Sequence, residues 1–298
     1  MLNKAVLRYI WTLAVITVLA ALFNSEITLI IASSVFAVAA LLFPLGATAV
    51  AAFICIAIYA LLTADPAAGA IMALSFILPA TAMALVIRMR RGLSAVIGAG
   101  TAANAFAMLM LYYYESVISH TTIINLLSID VPKTFSEQMT SLGYQDKEIQ
   151  MIKSIWQSMS VLLPAIIMIS ALIFSFLAFA GMKVIIRHTG GKLANIRDFK
   201  DMRADVSFTL FAIALTCSLF FVQGTAAKVI LNAVYVIYVL YIAFGAAALV
   251  RIFKKLTNHT FPAALITVMI GFFTLGTGLA LMGIISSFTG KNKPLERE

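Results

Sequence analysis

The stretch AAGAIMALSFILPATAMALVIRMRR, residues 67–91, decides the fold class. Its first part, Ala67 to Ile87, carries no charged side chain, and Arg88, Arg90 and Arg91 follow at once. A membrane-spanning α-helix needs about 20 mainly apolar residues, so this stretch predicts one transmembrane helix with a basic end. Similar runs recur along the chain. The sequence therefore predicts an all-α, polytopic integral membrane helical bundle.

The composition supports the same class over the whole length. Of 298 residues, 62% are hydrophobic and 11% are charged, whereas soluble domains have about 45–50% apolar and about 25% charged residues. We therefore expect a single membrane domain, 1–298, with an external helical loop at 115–157 and a basic cytoplasmic loop at 183–205. The net charge of +9 is typical of cytoplasmic loops rich in Lys and Arg, so it does not indicate a nucleic-acid partner.

Apolar runs separated by turns or charges predict eight or nine transmembrane helices with short amphipathic surface helices. The final run, 261–288, is long and interrupted by glycine, so it could cross once or bend back as a hairpin, and the topology of 261–298 stays open. The candidate spans are Ala5–Phe23, Ile27–Phe43, Ala47–Leu62, Ala67–Ile87, Leu93–Tyr114, Ser158–Met182, Val206–Val222, Val229–Val250 and Phe261–Phe288.

The positive charges predict the orientation of these spans. Basic clusters occur at 4–8, 88–91, 183–203 and 251–255, and four, two and two predicted crossings separate them. All four clusters can therefore face the cytoplasm, as the positive-inside rule requires. This arrangement predicts a cytoplasmic N-terminus.

Two loop segments carry amphipathic patterns. Tyr113 and Glu115 lie in the group Tyr112–Glu115, which is suited to anchoring at the membrane interface or to forming a wall against a ligand. In the basic loop, apolar residues recur at three-residue steps between Lys and Arg, which predicts a helix that docks on anionic headgroups or on a cytoplasmic partner. These apolar residues are Leu193, Ile196, Phe199 and Met202.

The fifth span contains a ridge of small side chains at four-residue intervals: Ala95, Ala99, Ala103 and Ala107. Small residues allow another membrane helix to approach closely, and that helix could belong to this chain or to another subunit. Asn104 follows directly on this ridge near the middle of the span. Because an amide in hydrocarbon is costly, we expect Asn104 to point inward, to a neighbouring helix or to a ligand.

A second polar face is predicted at the outer end of the eighth span. Lys228 and Asn232 are one turn apart, and Tyr235 lies close to the same face. These side chains could bind an acidic or polar small molecule. Alternatively, Lys228 extends to the outer surface or pairs with an acidic residue at the same level.

Residue patterns typical of catalysis are missing from the sequence. The histidines are scattered over three loops, and Cys55 and Cys217 lie in apolar runs without the spacing of a metal site. A phosphate-binding glycine-rich loop is also missing. We therefore expect no enzyme activity, catalytic residue, metal, cofactor or ATPase of its own.

Several motifs together resemble those of the YybS-like family of uncharacterised bacterial membrane proteins. The motifs are Phe43–Gly46, Arg88–Arg91, the long external segment, and Asn232 followed by Phe244–Ala247. That family is distantly similar to the substrate-binding subunits of energy-coupling-factor transporters and to the scaffold protein MreD. The resemblance implies a multi-pass protein of the bacterial cytoplasmic (inner) membrane.

The leading functional hypothesis is a transporter-like membrane subunit that binds a small molecule from the external side. The alternative is a non-catalytic membrane scaffold that recruits cell-envelope or cytoplasmic partners. The expected partners are the lipid bilayer, a small-molecule ligand, and a membrane or cytoplasmic protein.

Overall fold

The computed structural model describes residues 4–23, 25–120, 139–142, 144–189, 199, 202–257 and 260–289. The regular secondary structure of these residues is helical throughout, which confirms the predicted all-α class. The main helices are α1 (Lys4–Phe23), α2 (Glu26–Leu42), α3 (Leu45–Leu62), α4 (Pro66–Arg88), α5 (Leu93–Ile118), α6 (Asp146–Val161), α7 (Leu163–His188), α8 (Val206–Ser218), α9 (Gly224–Thr257), α10 (Thr260–Phe273) and α11 (Thr277–Thr289).

By length and composition, five described helices could cross a membrane: α3, α4, α5, α7 and most of α9. A sixth span results if α10 and α11, which are bent by 117° relative to each other, form one broken crossing. The predicted count of eight or nine is not confirmed. One reason is that α8 ends at Ser218 after 13 residues, only about 20 Å against about 30 Å of hydrocarbon. Two further reasons are that α2 has only 17 residues and that α1 contributes only a short apolar helix, Trp11–Phe23.

The chain divides into two compact units, Met1–Ile196 (unit 1) and Arg197–Glu298 (unit 2). In unit 1, α4 contacts α2 and α5, and α7 contacts the same two helices, so these four helices form a ring. α1 and α3 pack on the outside of the ring. Nine consecutive residues of α2, Ala32 to Ala40, are buried. The middle of the short α2 is therefore covered by protein.

Polar contacts fix both ends of α4. At its start, the Asp65 carboxylate accepts hydrogen bonds from the backbone N–H groups of Ala67 and Ala68, as an N-cap does. The Tyr114 hydroxyl of α5 donates to the same carboxylate and lies 2.9 and 2.7 Å from its two oxygens. At the other end, the Arg88 guanidinium donates to the carbonyl oxygens of Ala40 and Phe43, where α2 ends.

In unit 2, the long helix α9 contacts α8, α10 and α11. A Cβ atom at Gly245 of α9 would lie 1.7 Å from the carbonyl oxygen of Leu279, and one at Gly283 of α11 would lie 2.3 Å from that of Tyr241. The two backbones are therefore in direct contact, which only glycine permits. The bend between α10 and α11 contains Leu275 and Gly276, both with positive φ.

Candidate functional site

Several polar residues of unit 1 lie near the middle of the helices that form its ring. Gly100 of α5 shows which residues of the ring lie side by side. A Cβ atom at Gly100 would lie 2.9 Å from the Met83 side chain of α4 and 3.1 Å from the Ser175 hydroxyl of α7. Asn104 lies one turn further along α5. We call Ser33, Ser34, Gly100, Asn104 and Ser175 the central polar layer.

α2 contributes two adjacent serines to this layer. The Ser34 hydroxyl donates to the carbonyl oxygens of Ile30, 2.8 Å away, and of Ala178 on α7, 3.1 Å away. The neighbouring Ser33 hydroxyl is fully buried, and no hydrogen-bond partner for it occurs among the described residues. An unsatisfied buried hydroxyl costs about 1–3 kcal/mol.

Asn104 is the polar centre of α5. The residue is only 4% exposed. α4 and α5 are joined by a short turn and pack antiparallel, so the contact between Met83 and Gly100 puts Asn104 opposite Pro79. Pro79 is buried inside α4 and has no N–H, so the carbonyl of Ser75 lacks its helical donor. A carbonyl without its usual helical donor and the Asn104 amide therefore occur near the same level.

The central polar layer offers hydrogen-bonding groups that carry no charge. The Asn104 amide can donate and accept hydrogen bonds, and the Ser33 hydroxyl can do both. The charged residues of α2 to α5, by contrast, lie at the helix ends (Glu26, Arg88, Glu115) or in the turns (Asp65, Arg90, Arg91). In the described ranges, no group of three His, Cys, Asp or Glu residues could hold a metal ion. The layer can thus satisfy a neutral polar group of a ligand.

The other predicted ligand residues lie apart from this layer. Tyr113 and Glu115 are exposed near the end of α5, and the neighbouring Tyr114 makes the contact with Asp65 instead. In unit 2, Lys228 and Tyr235 are exposed on α9. The Asn232 amide is partly buried and donates to the Lys228 carbonyl oxygen at 2.8 Å.

The predicted docking residues have mixed environments. Ala95 is exposed, Ala99 and Ala103 are partly buried, and Ala107 is buried. The face of α5 that packs inside unit 1 is centred beside this ridge, on Gly100 and Asn104. In the basic loop, Phe199 is 40% exposed and Met202 is 9% exposed, whereas Leu193 and Ile196 lie outside the described residues.

Sequence reasoning overlooked two sets of polar residues. The pair Ser33–Ser34 within an otherwise apolar run was a visible signal for the first. The second is a buried hydroxyl cluster in unit 2, in which Tyr241 donates to Thr209 at 2.8 Å and Thr209 lies 2.9 Å from the Ser287 hydroxyl. These three residues are 32 and 78 positions apart along the chain, so spacing could not have connected them.

Comparison with known proteins identifies the family of the chain. The model of a family described as "Predicted membrane protein (DUF2232)" matches residues 12–286. The chain belongs to this family. Membership in it agrees with the several long apolar helices and establishes a membrane protein. No curated protein and no solved structure matches the chain. The family does not support the more specific likenesses to YybS-like proteins, transporter subunits or MreD.

Proposed function

We propose that the chain is a transporter-like membrane subunit that binds a small molecule from the external side, without ATPase or catalytic activity of its own. The observations that carry this proposal are the largely buried Asn104 near the middle of α5 and the fully buried Ser33 hydroxyl of α2, which has no partner among the described residues. Polar side chains inside a membrane domain often mark ligand pathways.

The energetics of the layer favour a ligand with hydrogen-bonding groups. Leaving the Ser33 hydroxyl unpaired destabilises the empty protein, and a bound ligand that pairs with it and with Asn104 removes this cost. A charged ligand would need a compensating charge in the layer, because burying an unpaired charge is very costly. We therefore infer a neutral polar molecule.

We further infer eight or nine membrane crossings, with the N-terminus and the basic loops in the cytoplasm of a bacterial cell. The protein-covered position of α2 supports this count, because a helix shielded from lipid need not match the bilayer thickness. The relationship to YybS-like proteins and to energy-coupling-factor subunits belongs to the same proposal and rests on the sequence motifs.

Ligand-induced thermal stabilisation tests the proposal. The purified full-length chain is screened against vitamins, nucleosides, amino acids, sugars and divalent metal ions. We expect one class of neutral polar compounds to stabilise it by about 2.7 kcal/mol at a concentration of 100 Kd. Asn104→Leu, which removes the amide and keeps a similar volume, should abolish that shift.

Asn232→Leu is the matched control, since it removes an amide from the exposed face of α9 instead. If Asn232→Leu abolishes the shift and Asn104→Leu retains it, the ligand binds the face of Lys228, Asn232 and Tyr235, and the central polar layer is not the site. If no compound stabilises the wild-type protein, the small-molecule function is wrong.

The scaffold function is a second candidate, favoured by the alanine ridge of α5. Ala95 is exposed and Ala99 is partly exposed, so a membrane helix of a partner protein could pack there. A cysteine placed at Ala99 should then crosslink to a protein partner in cells. A cysteine placed at the buried Ala107 should not crosslink to a protein partner. Crosslinking that recovers no protein at Ala99, or the same proteins at both positions, would reject the scaffold function.

A further inference from the structure

One end of unit 1 combines exposed cations with exposed apolar side chains. The corner between α2 and α3 meets the turn between α4 and α5 there, because Arg88 donates to the carbonyl oxygens of Ala40 and Phe43. Arg90 and Arg91 lie in that turn and are exposed. We call this region, residues 42–45 and 88–91, the basic end.

Charge is completely segregated along the helices α2 to α5. The three acidic residues are Glu26 at the start of α2, Asp65 at the start of α4, and Glu115 near the end of α5. All of these positions are remote from the basic end, since the 23 residues of α4 separate Asp65 from Arg88 by about 34 Å. The arginines of the basic end are therefore not neutralised by carboxylates of these four helices, and they favour an anionic partner.

Apolar side chains accompany the arginines. Leu42 is 56% exposed, Leu45 is 60% exposed, and Met89 is 66% exposed. Leu42 and Leu45 flank the Phe43 carbonyl that Arg88 contacts, and Met89 lies between Arg88 and Arg90. A soluble anion would use the cations alone, whereas a molecule with an acyl chain would also cover these apolar groups.

The backbone conformation of Arg90 also indicates a role for its side chain. Arg90 has φ = 56° and follows the end of α4, where the N–H of Arg91 bonds to the carbonyl oxygen of Val86. This left-handed position after a helix usually holds glycine, because a residue with a Cβ atom is strained there by about 1–2 kcal/mol. Arginine at this position lowers local stability and adds a cation to the turn.

We propose that the basic end binds the headgroup of an anionic phospholipid, with Arg90 and Arg91 on the phosphate and with Leu42, Leu45 and Met89 against the upper acyl chain. Guanidinium groups form paired hydrogen bonds to phosphate oxygens. The end of a membrane-spanning helix places them at the level of lipid headgroups. Arg88 holds α2 and α4 together and is a structural residue here. This inference is independent of the small-molecule site.

The test compares two charge-matched double variants of the purified full-length chain. Arg90→Gln/Arg91→Gln removes two cations from the basic end, and Lys147→Gln/Lys153→Gln removes two cations from α6. Binding of phosphatidylglycerol, phosphatidylcholine with the same acyl chains, and inorganic phosphate is measured by native mass spectrometry. The melting temperature in the presence of each phospholipid or of inorganic phosphate is the second measurement.

We expect the wild-type chain to prefer phosphatidylglycerol over phosphatidylcholine. The arginine variant should bind phosphatidylglycerol about 30-fold more weakly, about 5-fold for each cation lost, whereas the lysine variant should bind it like the wild type. An arginine variant that retains the wild-type preference would overturn the proposal, as would an equal loss in the lysine variant. Equal stabilisation by inorganic phosphate would identify a phosphate site without a lipid.

Discussion

The two units differ in whether their buried polar side chains have hydrogen-bond partners. In unit 2, Thr209 lies within hydrogen-bond distance of Tyr241, Ser287 and the carbonyl oxygen of Asp205, and α9 and α11 touch through Gly245 and Gly283. In unit 1, the central polar layer contains the buried Ser33 hydroxyl, which has no partner among the described residues, and the largely buried Asn104. A satisfied cluster in tight packing is typical of a structural core, whereas an unsatisfied one is available to a ligand.

The largest predicted effect tests the tight packing of unit 2. Gly245→Leu should destabilise the protein by at least about 3 kcal/mol, because its side chain would collide with the α11 backbone, which cannot rotate away. Thermal unfolding in detergent measures the loss. Gly98→Ala is the control: a Cβ atom there meets nothing within 4 Å, so we expect a neutral result or a gain of about 0.5–1 kcal/mol. Equal losses in both variants would contradict the close contact.

An intermediate effect compares the satisfied hydroxyls with the unsatisfied one. Thr209→Val should cost about 1–2 kcal/mol, because it leaves Tyr241 and Ser287 without their shared partner. Ser33→Ala should be neutral or stabilising, since no described hydrogen bond is lost with its hydroxyl. The effect of each substitution is measured as the change in the free energy of unfolding. A larger loss for Ser33→Ala than for Thr209→Val would reverse the contrast between the units.

The smallest effect concerns the polar contact at the start of α4. The hydrogen bond from Tyr114, followed by the backbone N–H groups of α4, lowers the pKa of the Asp65 carboxyl in the folded protein. Its stabilising contribution is therefore present above the unfolded-chain pKa of about 3.9 and is lost as the pH falls through the folded value.

Tyr114→Phe should accordingly reduce the fall in melting temperature between about pH 5 and pH 3. Tyr113→Phe is the matched control, because the Tyr113 ring is 61% exposed and lies beside the contact without joining it. If the Tyr114→Phe profile coincides with the wild-type profile over that range, the hydrogen bond does not set the acid sensitivity.

The sequence determined the class of the protein and the places where its charges lie. Uncharged runs such as Ala67–Ile87 have to be helical in a bilayer, because every backbone N–H and C=O group needs a partner within its own segment. The buried position of Asn104 could also be predicted, since a central amide is costly in lipid. Both arguments use only residue type and local order along the chain.

The tertiary structure decided the contacts between residues that are distant in sequence. It showed that the middle of α2 is covered by protein, that Tyr114 rather than Tyr113 meets Asp65, and that Gly245 and Gly283 bring two backbones together. It also distinguished Ser33 from Ser34, which have the same chemistry and adjacent positions. Only the neighbouring helix determines which of two such hydroxyls finds a carbonyl and which does not.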